Sequence, residues 1–339
     1  MQTGNLVIPI GSQRAGLISV VMPAYRESAG IMRAVTTVEQ VLRNEASSYE
    51  IIVIDDGSDD GTFRELQKTA LLSPALRAVR LSRHFGKEGA MLAGLRLARG
   101  RAVITMDADL QHPPELIPEM LRAWRAGNCV VNAVKRQRSG EPAIHRWRAQ
   151  AFNALISKLG GIDLRDATDF KLLDRAAVDT ILTSFSEKLR FYRGLTRWIG
   201  FQQVDVPFDV APRLSGQSAW TRRGLTALAI NSIVSFSSAP LRLITYIGLL
   251  MMLAGLVITF DAVWSWINGR STAGFPTVIV TDLIGNASIM ISLGIIGEYV
   301  AKIYDEVKGR PNYVIAEICD GERNASLAFN EPADQSRAR

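Results

Sequence analysis

Leu243 to Phe260 is a run of 18 residues without a charged side chain, bounded by Arg242 and Asp261. With Val263, Trp264 and Trp266 added, it reaches the roughly 20 residues that cross a bilayer as a helix. The tryptophans fall where an aromatic belt meets the headgroups. After a Gly/Pro loop, Asn268 to Pro276, a second apolar stretch runs to about Gly297 and carries one acid, Asp282, near its outer end. Charges are spread through the chain before this region and nearly vanish between Leu241 and Gly297. A uniform soluble globule does not have that pattern. The expectation is a soluble domain over residues 1–232, a two-helix transmembrane region over 233–304 and a tail over 305–339, polar and disordered from Glu317 onward. Lys302, Lys308 and Arg310 follow the second span, whereas the loop holds only Arg270. The positive-inside rule then puts the soluble domain and both termini in the cytoplasm.

The chain has 339 residues and a formal net charge of +6. That sign suits anionic partners such as phosphates or acidic lipid. No nucleic-acid-binding motif or long basic run is present, so nucleic acid is not an expected partner. Cys129 and Cys319 are far apart and lack metal-ligand spacing, which fits a reducing compartment. Met1 to Gly16 has no sustained apolar core, so no secretory leader is expected there.

Before the membrane region, short apolar runs end in turn residues: Ile18–Met22, Glu50–Ile54, a weaker run Leu76–Leu81, Ala102–Met106 and Cys129–Val134. Such runs read as buried strands. Helical patterns lie between them, as at Ile31–Arg43 and Lys87–Arg99, which predicts an α/β domain with a mostly parallel sheet. Arg146–Leu159 and Trp220–Phe236 are amphipathic; either can be a core helix. The second leads into the membrane region and is read as interfacial.

Ligands of such sheets gather at the carboxyl ends of strands. Three strand ends carry polar clusters: Tyr25-Arg26-Glu27, Asp55-Asp56 and Asp107-Ala108-Asp109. Two carboxylates at Asp107 and Asp109, with the amide oxygen of Gln111, make a hard-oxygen set for Mg²⁺ or Mn²⁺, whose shell substrate phosphates complete. Solvated loops also contain Asp-x-Asp; its place after a buried strand and before His112-Pro-Pro-Glu115 favours the metal. Asp55 to Thr62 can serve as a turn and helix cap, and Asp56 can also accept from a nucleobase N–H or ribose hydroxyl. Tyr25 belongs either to a strand-to-helix connection or to a base-stacking contact. No dinucleotide-binding glycine pattern, P-loop, serine elbow or zinc spacing occurs.

The combination of Val21-Met-Pro-Ala-Tyr-Arg-Glu27, Val53-Ile-Asp-Asp-Gly-Ser58, Leu81-Ser-Arg-His-Phe-Gly-Lys-Glu88, Met106-Asp-Ala-Asp-Leu-Gln-His-Pro-Pro-Glu115, Asp169-Phe-Lys-Leu-Leu-Asp-Arg175 and Gly297-Glu-Tyr-Val-Ala-Lys-Ile-Tyr-Asp-Glu-Val-Lys-Gly-Arg-Pro311 resembles the family 2 glycosyltransferases. The subgroup is that of bacterial bactoprenol glucosyltransferases, with dolichol-phosphate mannose synthase a more distant relative. The resemblance implies a GT-A nucleotide-sugar-binding domain followed by two C-terminal transmembrane helices, in a bacterial inner (plasma) membrane. It implies inverting transfer of a sugar, UDP-glucose being the favoured donor, to a polyprenyl phosphate acceptor. UDP-linked amino sugars and GDP-mannose stay open as donors. By position it makes Pro23, Tyr25, Glu27 and Asp56 nucleotide contacts, and Asp107, Ala108, Asp109 and Gln111 the metal and diphosphate site. Lys135 stands where the family usually has a phosphate-binding arginine. Asp169 matches an aspartate proposed as base or acceptor-orienting group, and Arg213 a phosphate-binding arginine. Two further departures are His84 for a usual asparagine and Ala219 for a usual lysine.

Two rival readings remain within reach of the sequence. A processive polysaccharide synthase would carry Gln-x-x-Arg-Trp, but Gly194, Leu195 and Thr196 precede Arg197-Trp198. Two spans are too few for a translocation channel without a homo-oligomer. An inactive membrane scaffold would not need Asp107, Asp109 and Asp169 intact.

Overall fold

Eight strands form one sheet in the computed structural model, which describes residues 16–135, 168–184, 192–209, 239–269 and 275–321. The five expected strands are β1 (Ile18–Ala24), β2 (Tyr49–Asp55), β3 (Leu76–Leu81), β4 (Ala102–Thr105) and β5 (Val130–Lys135). Three more complete the sheet: β6 (Lys171–Asp174), β7 (Gln203–Phe208) and β8 (Ile315–Asp320). Their spatial order is β7-β5-β6-β4-β1-β2-β3-β8. β4, β1, β2 and β3 run parallel, as do β5 and β7. β6 is antiparallel to both its neighbours, and β8 is antiparallel to β3. The sheet is therefore mixed, with a parallel centre.

The apolar runs are continuous because both faces of that centre are covered. On one face, Val20 and Met22 of β1 and Ile51 and Val53 of β2 pack against α1 (Ile31–Glu45), α2 (Thr62–Leu72) and α4 (Ile117–Arg125). On the other, Val21, Ile52 and Ile54 meet α3 (Lys87–Leu97), α5 (Arg175–Ser184) and the start of α6 (Tyr192–Trp198). α3 lies so close to β1 that a Cβ on Gly94 would collide with the Val21 side chain. Alanine there would push the helix off the sheet.

The segment after the apolar region is not a disordered tail throughout. Asn312–Asp320 returns to the sheet, and Ile315 to Asp320 is its eighth strand. Ile315 packs on one core and Cys319 on the other. Its polar residues have partners: Asp320 pairs with Arg77 at 3.1 Å, and Gln67 donates to Glu317 at 2.8 Å. Short alternation with two acids, Glu317 and Asp320, hid this strand, because its charges sit on an edge where charge is normal.

The two long helices form a separate unit. They are α7 (Ala239–Ile267) and α8 (Phe275–Val307), and both are long and apolar enough to cross a membrane. Phe275 and Pro276 belong to the first turn of α8 rather than to the loop, a position where proline is favoured. The helix also continues past Gly297, carried by helix-forming residues through Val307. Large apolar side chains such as Leu253, Leu256, Phe260, Leu283, Met290 and Leu293 are exposed along both helices. Lipid is the environment that suits such a surface.

Candidate active site

Strand direction gathers the polar clusters on one sheet edge. β1, β2 and β4 are parallel, so Tyr25, Asp56 and Asp107 all leave carboxyl ends. β6 runs the other way, with Thr105 opposite Lys171, so its amino end delivers Asp169 to the same edge. β5 is antiparallel to β6, and its last residue, exposed Lys135, also reaches this edge. Pro23 lies inside β1, buried and paired with Ile54.

Asp107 and Asp109 are partly exposed, with buried Ala108 between them. Leu110 adopts a left-handed φ of 56°, unusual for a residue with a branched side chain. That turn lets the Gln111 N–H donate to Asp109 Oδ1 at 3.0 Å, which fixes one carboxylate oxygen. Behind Asp107 lies His112, buried and stacked on Phe170 at 5.3 Å, with Phe208 edge-on at 5.9 Å. Its Nδ1 accepts from the Asp107 N–H at 3.4 Å. Burial pushes the His112 pKa down, which keeps this imidazole neutral.

Asp169 is buried. Its carbonyl accepts from Thr105 Oγ1 at 2.6 Å, and Thr105 Oγ1 lies 2.9 Å from the Tyr192 hydroxyl. Burial pushes the Tyr192 phenol up, so it stays protonated and serves as donor. The Asp169 carboxylate meets a residue that motif reading passes over. Lys87 Nζ lies 2.5 Å from Asp169 Oδ2 and 2.5 Å from Asp107 Oδ1. Burial lowers the Lys87 pKa, but Asp107 and Asp169 together outweigh that and hold the ammonium above its usual range. Two carboxylates from different strands thus converge on one cation.

Asp56 has local work. Its Oδ1 accepts from the Phe85 N–H at 2.7 Å; its Oδ2 accepts from the Gly86 N–H at 2.9 Å and lies 2.9 Å from His84 Nδ1. Burial raises its pKa, against those donors. A carboxylate offers about four lone-pair sites, so three of them hold the loop that leads into Lys87. Gly57 makes this contact possible: its φ is +68°, and a Cβ there would lie 2.5 Å from the Arg83 backbone. His84, the departure from asparagine, also puts its ring 4.2 Å from that of Tyr25. Tyr25 keeps 39% of its surface exposed, with the Arg26 guanidinium also over its ring, 5.3 Å from the centroid. The Tyr25–Ser28 turn is sewn to the next loop: Ser58 Oγ, Thr62 Oγ1 and Asp60 Oδ2 accept from the N–H groups of Arg26, Glu27 and Ser28.

The residues fit a divalent ion. Among the described residues no cluster of three or more His, Cys, Asp or Glu is assembled for a metal. Two carboxylates and a nearby carboxamide are instead the sparse oxygen set of an ion that also takes phosphate ligands. The Lys87 ammonium against Asp107 shows that this edge already holds positive charge. Arg213, Ala219 and both amphipathic segments lie outside the described residues.

The family model described as glycosyl transferase family 2 matches residues 19–198, which include this whole edge. The chain belongs to glycosyl transferase family 2. It is an enzyme of the transferase class with a GT-A-like α/β fold. The glycosyltransferase is 38% identical over 303 residues to an uncharacterized glycosyltransferase of Synechocystis sp., covering 89% of this chain and 95% of that one. It is 35% identical over 303 residues to the SfII prophage-derived bactoprenol glucosyl transferase of Shigella flexneri, covering 88% and 97%. Among solved structures, mannosyl-3-phosphoglycerate synthase of Rubrobacter xylanophilus matches 67% of this chain and 74% of its own, with a TM-score of 0.45 and 20% identity.

Proposed function

We propose that this glycosyltransferase moves a sugar, glucose from UDP-glucose first among candidates, onto a polyprenyl phosphate at the cytoplasmic face of a bacterial plasma membrane. The observation that carries the reading is the meeting of a strand-end dicarboxylate with a buried third carboxylate, in a chain that also holds two bilayer-length apolar helices. The similarity to a bactoprenol glucosyl transferase over most of both chains supports the acceptor.

The exposed part of the Tyr25 ring takes the base, and Pro23, Glu27 and the remaining acceptor capacity of Asp56 border the nucleotide. Asp107 and Asp109, aided by Gln111, would hold Mg²⁺ or Mn²⁺. Such an ion, when bound, supplies positive charge to the departing diphosphate. Lys135 and Arg213 bring fixed cations to phosphate oxygens. An acceptor phosphate oxygen attacks the anomeric carbon from the face opposite the leaving group. The bond from that carbon to the diphosphate oxygen breaks, and its electron pair leaves with the nucleoside diphosphate. A phosphate monoester has a second pKa of about 6, so the nucleophile arrives ionised and no proton must be removed. Asp169 therefore orients the acceptor rather than acting as a strong base.

The test is a donor screen with undecaprenyl phosphate and the full-length protein in detergent or nanodiscs. Metal-dependent glucosylation of the lipid from UDP-glucose is expected. Transfer only from GDP-mannose or a UDP-amino sugar would correct the donor. Donor cleavage with no lipid product from any donor would refute the acceptor, and no turnover at all would favour a scaffold.

A further inference from the structure

The lysine between Asp107 and Asp169 has no role in the function proposed so far. It is residue one of α3, directly after Gly86, whose φ is +90°. A cation at a helix amino terminus opposes the macrodipole, so helix stability does not explain a lysine there. Considerable structure is nonetheless spent on aiming it. Asp56 fixes the preceding Phe85 and Gly86 N–H groups, and the neighbouring Glu88 accepts from the Tyr192 N–H at 3.1 Å. The Lys87 side chain is 41% exposed, so a substrate can reach it.

We propose that Lys87 is a substrate-binding residue whose ammonium takes the acceptor's phosphate between Asp107 and Asp169. An ammonium carries three N–H donors. Asp107 and Asp169 take two, and the third is available to a phosphate oxygen. The position decides which phosphate. The donor diphosphate belongs with the Asp107–Asp109 pair just after β4, while Asp169 lies just before β6 and meets the other side of the Lys87 ammonium. An incoming phosphate dianion beside the buried Asp169 carboxylate meets like charge within a few ångströms, which is costly in a medium less polar than water. A cation already seated on Asp169 removes that barrier. It also ties acceptor and donor ends of the site together through one atom. The inference rests on the polyprenyl phosphate reading of the acceptor, and the wild-type assay tests that reading by itself.

The experiment compares wild type, Lys87→Met and Lys87→Arg as full-length proteins. It measures KM for a short-chain polyprenyl monophosphate and for the sugar donor separately. Lys87→Met is expected to raise the acceptor KM by about ten- to a hundredfold, the scale of a lost charge-assisted contact, with the donor KM within about threefold. Lys87→Arg is expected to recover part of the loss. A rise in donor KM instead would assign Lys87 to the diphosphate, and a fall in kcat with both KM values unchanged would reduce it to a positioning residue; either result overturns the proposal. A second measurement needs no variant. The wild-type chain is labelled with an amine-reactive acylating reagent, and modification of Lys87 is followed by peptide mass spectrometry. The short-chain polyprenyl monophosphate alone, without donor or metal, should slow that modification. Unchanged labelling at saturating acceptor would overturn the assignment even if Lys87→Met failed to fold. Absence of lipid glycosylation by the wild type would instead count against the acceptor itself.

Discussion

Asp109 has one oxygen committed to the Gln111 N–H, and Asp107 has one committed to Lys87. The two carboxylates are held by different partners, so neither can replace the other. Asp109→Ala is expected to lower lipid glycosylation by two orders of magnitude or more, a loss of roughly 2.7 kcal/mol in transition-state stabilisation. Mn²⁺ binding followed by electron paramagnetic resonance should weaken in step, and near-normal turnover of Asp109→Ala in a chelator would exclude the metal role. Asp169→Asn keeps the side-chain shape but removes the charge that faces Lys87. It should lower kcat while nucleotide-sugar affinity, read by calorimetry, stays within about threefold; a large loss of donor affinity would move Asp169 to the donor side. These aspartates were legible in the sequence because they follow strands and belong to recognisable motifs. Lys87 and His112 stand in the same motifs, but their roles were not legible there. The partner of Lys87 lies 82 positions away, and one lysine in the sequence looks like any other until the sheet brings Asp169 to it. The local signals were its place in the Leu81–Glu88 motif and a basic residue at a helix start. Asp56 was legible as functional, but its three loop contacts were not, since they need Gly57 against the Arg83 backbone.

Among the elements, the parallel centre was readable because burial on both faces forces unbroken runs of β-branched residues. β6 escaped because it is four residues long and contains Lys171. That lysine is fully buried, and its Nζ donates to Asn132 Oδ1 on β5 at 2.6 Å, a pairing that no local pattern announces. β8 escaped for another reason: it is an edge strand beyond two apolar helices, so chain order placed it in a tail. Its contacts make it part of the catalytic sheet. The Ser82 N–H donates to the Val314 carbonyl at 2.9 Å, at the start of the loop that carries His84 and Lys87. Tyr313 and Ile315 pack on the same core as α3. Ending the chain after Arg310 should therefore expose that core and loosen the loop. The expected result is a melting temperature at least about 4 °C lower, since 1 kcal/mol moves a domain of this size by about 2–4 °C, together with a loss of transferase activity. Ending it after Gly321 should change neither. Equal stability of the two truncated proteins, measured by thermal unfolding in the same detergent, would make β8 dispensable.

For the whole molecule, β8 constrains the membrane topology independently of charge. β7 precedes the two apolar helices and β8 follows them, yet both strands belong to one sheet. Any crossings of a membrane between Phe208 and Ile315 must therefore be even in number. Helices α7 and α8, of 29 and 33 residues, are each long and apolar enough for one crossing. At 1.5 Å per residue they are roughly 44 and 50 Å long, more than the hydrocarbon core of about 30 Å, so the ends of a spanning helix would reach the headgroup layers. By the positive-inside rule, Arg242 at one end and Lys302, Lys308 and Arg310 at the other are expected on the cytoplasmic side, against Arg270 in the loop. The expected arrangement has the sheet and both termini in the cytoplasm and residues 268–274 outside. A chain with Cys129 and Cys319 replaced by serine and Ser271→Cys introduced should react with a membrane-impermeant maleimide in intact cells. A companion chain keeping only Cys319, on β8, should react only after lysis. Labelling of Ser271→Cys only after lysis, with Cys319 accessible from outside, would invert the topology. It would also move the sugar transfer to the opposite face, where no cytoplasmic nucleotide-sugar could reach Asp107 and Asp109. Protection of both sites in intact cells would mean that the helices lie on the membrane without spanning it.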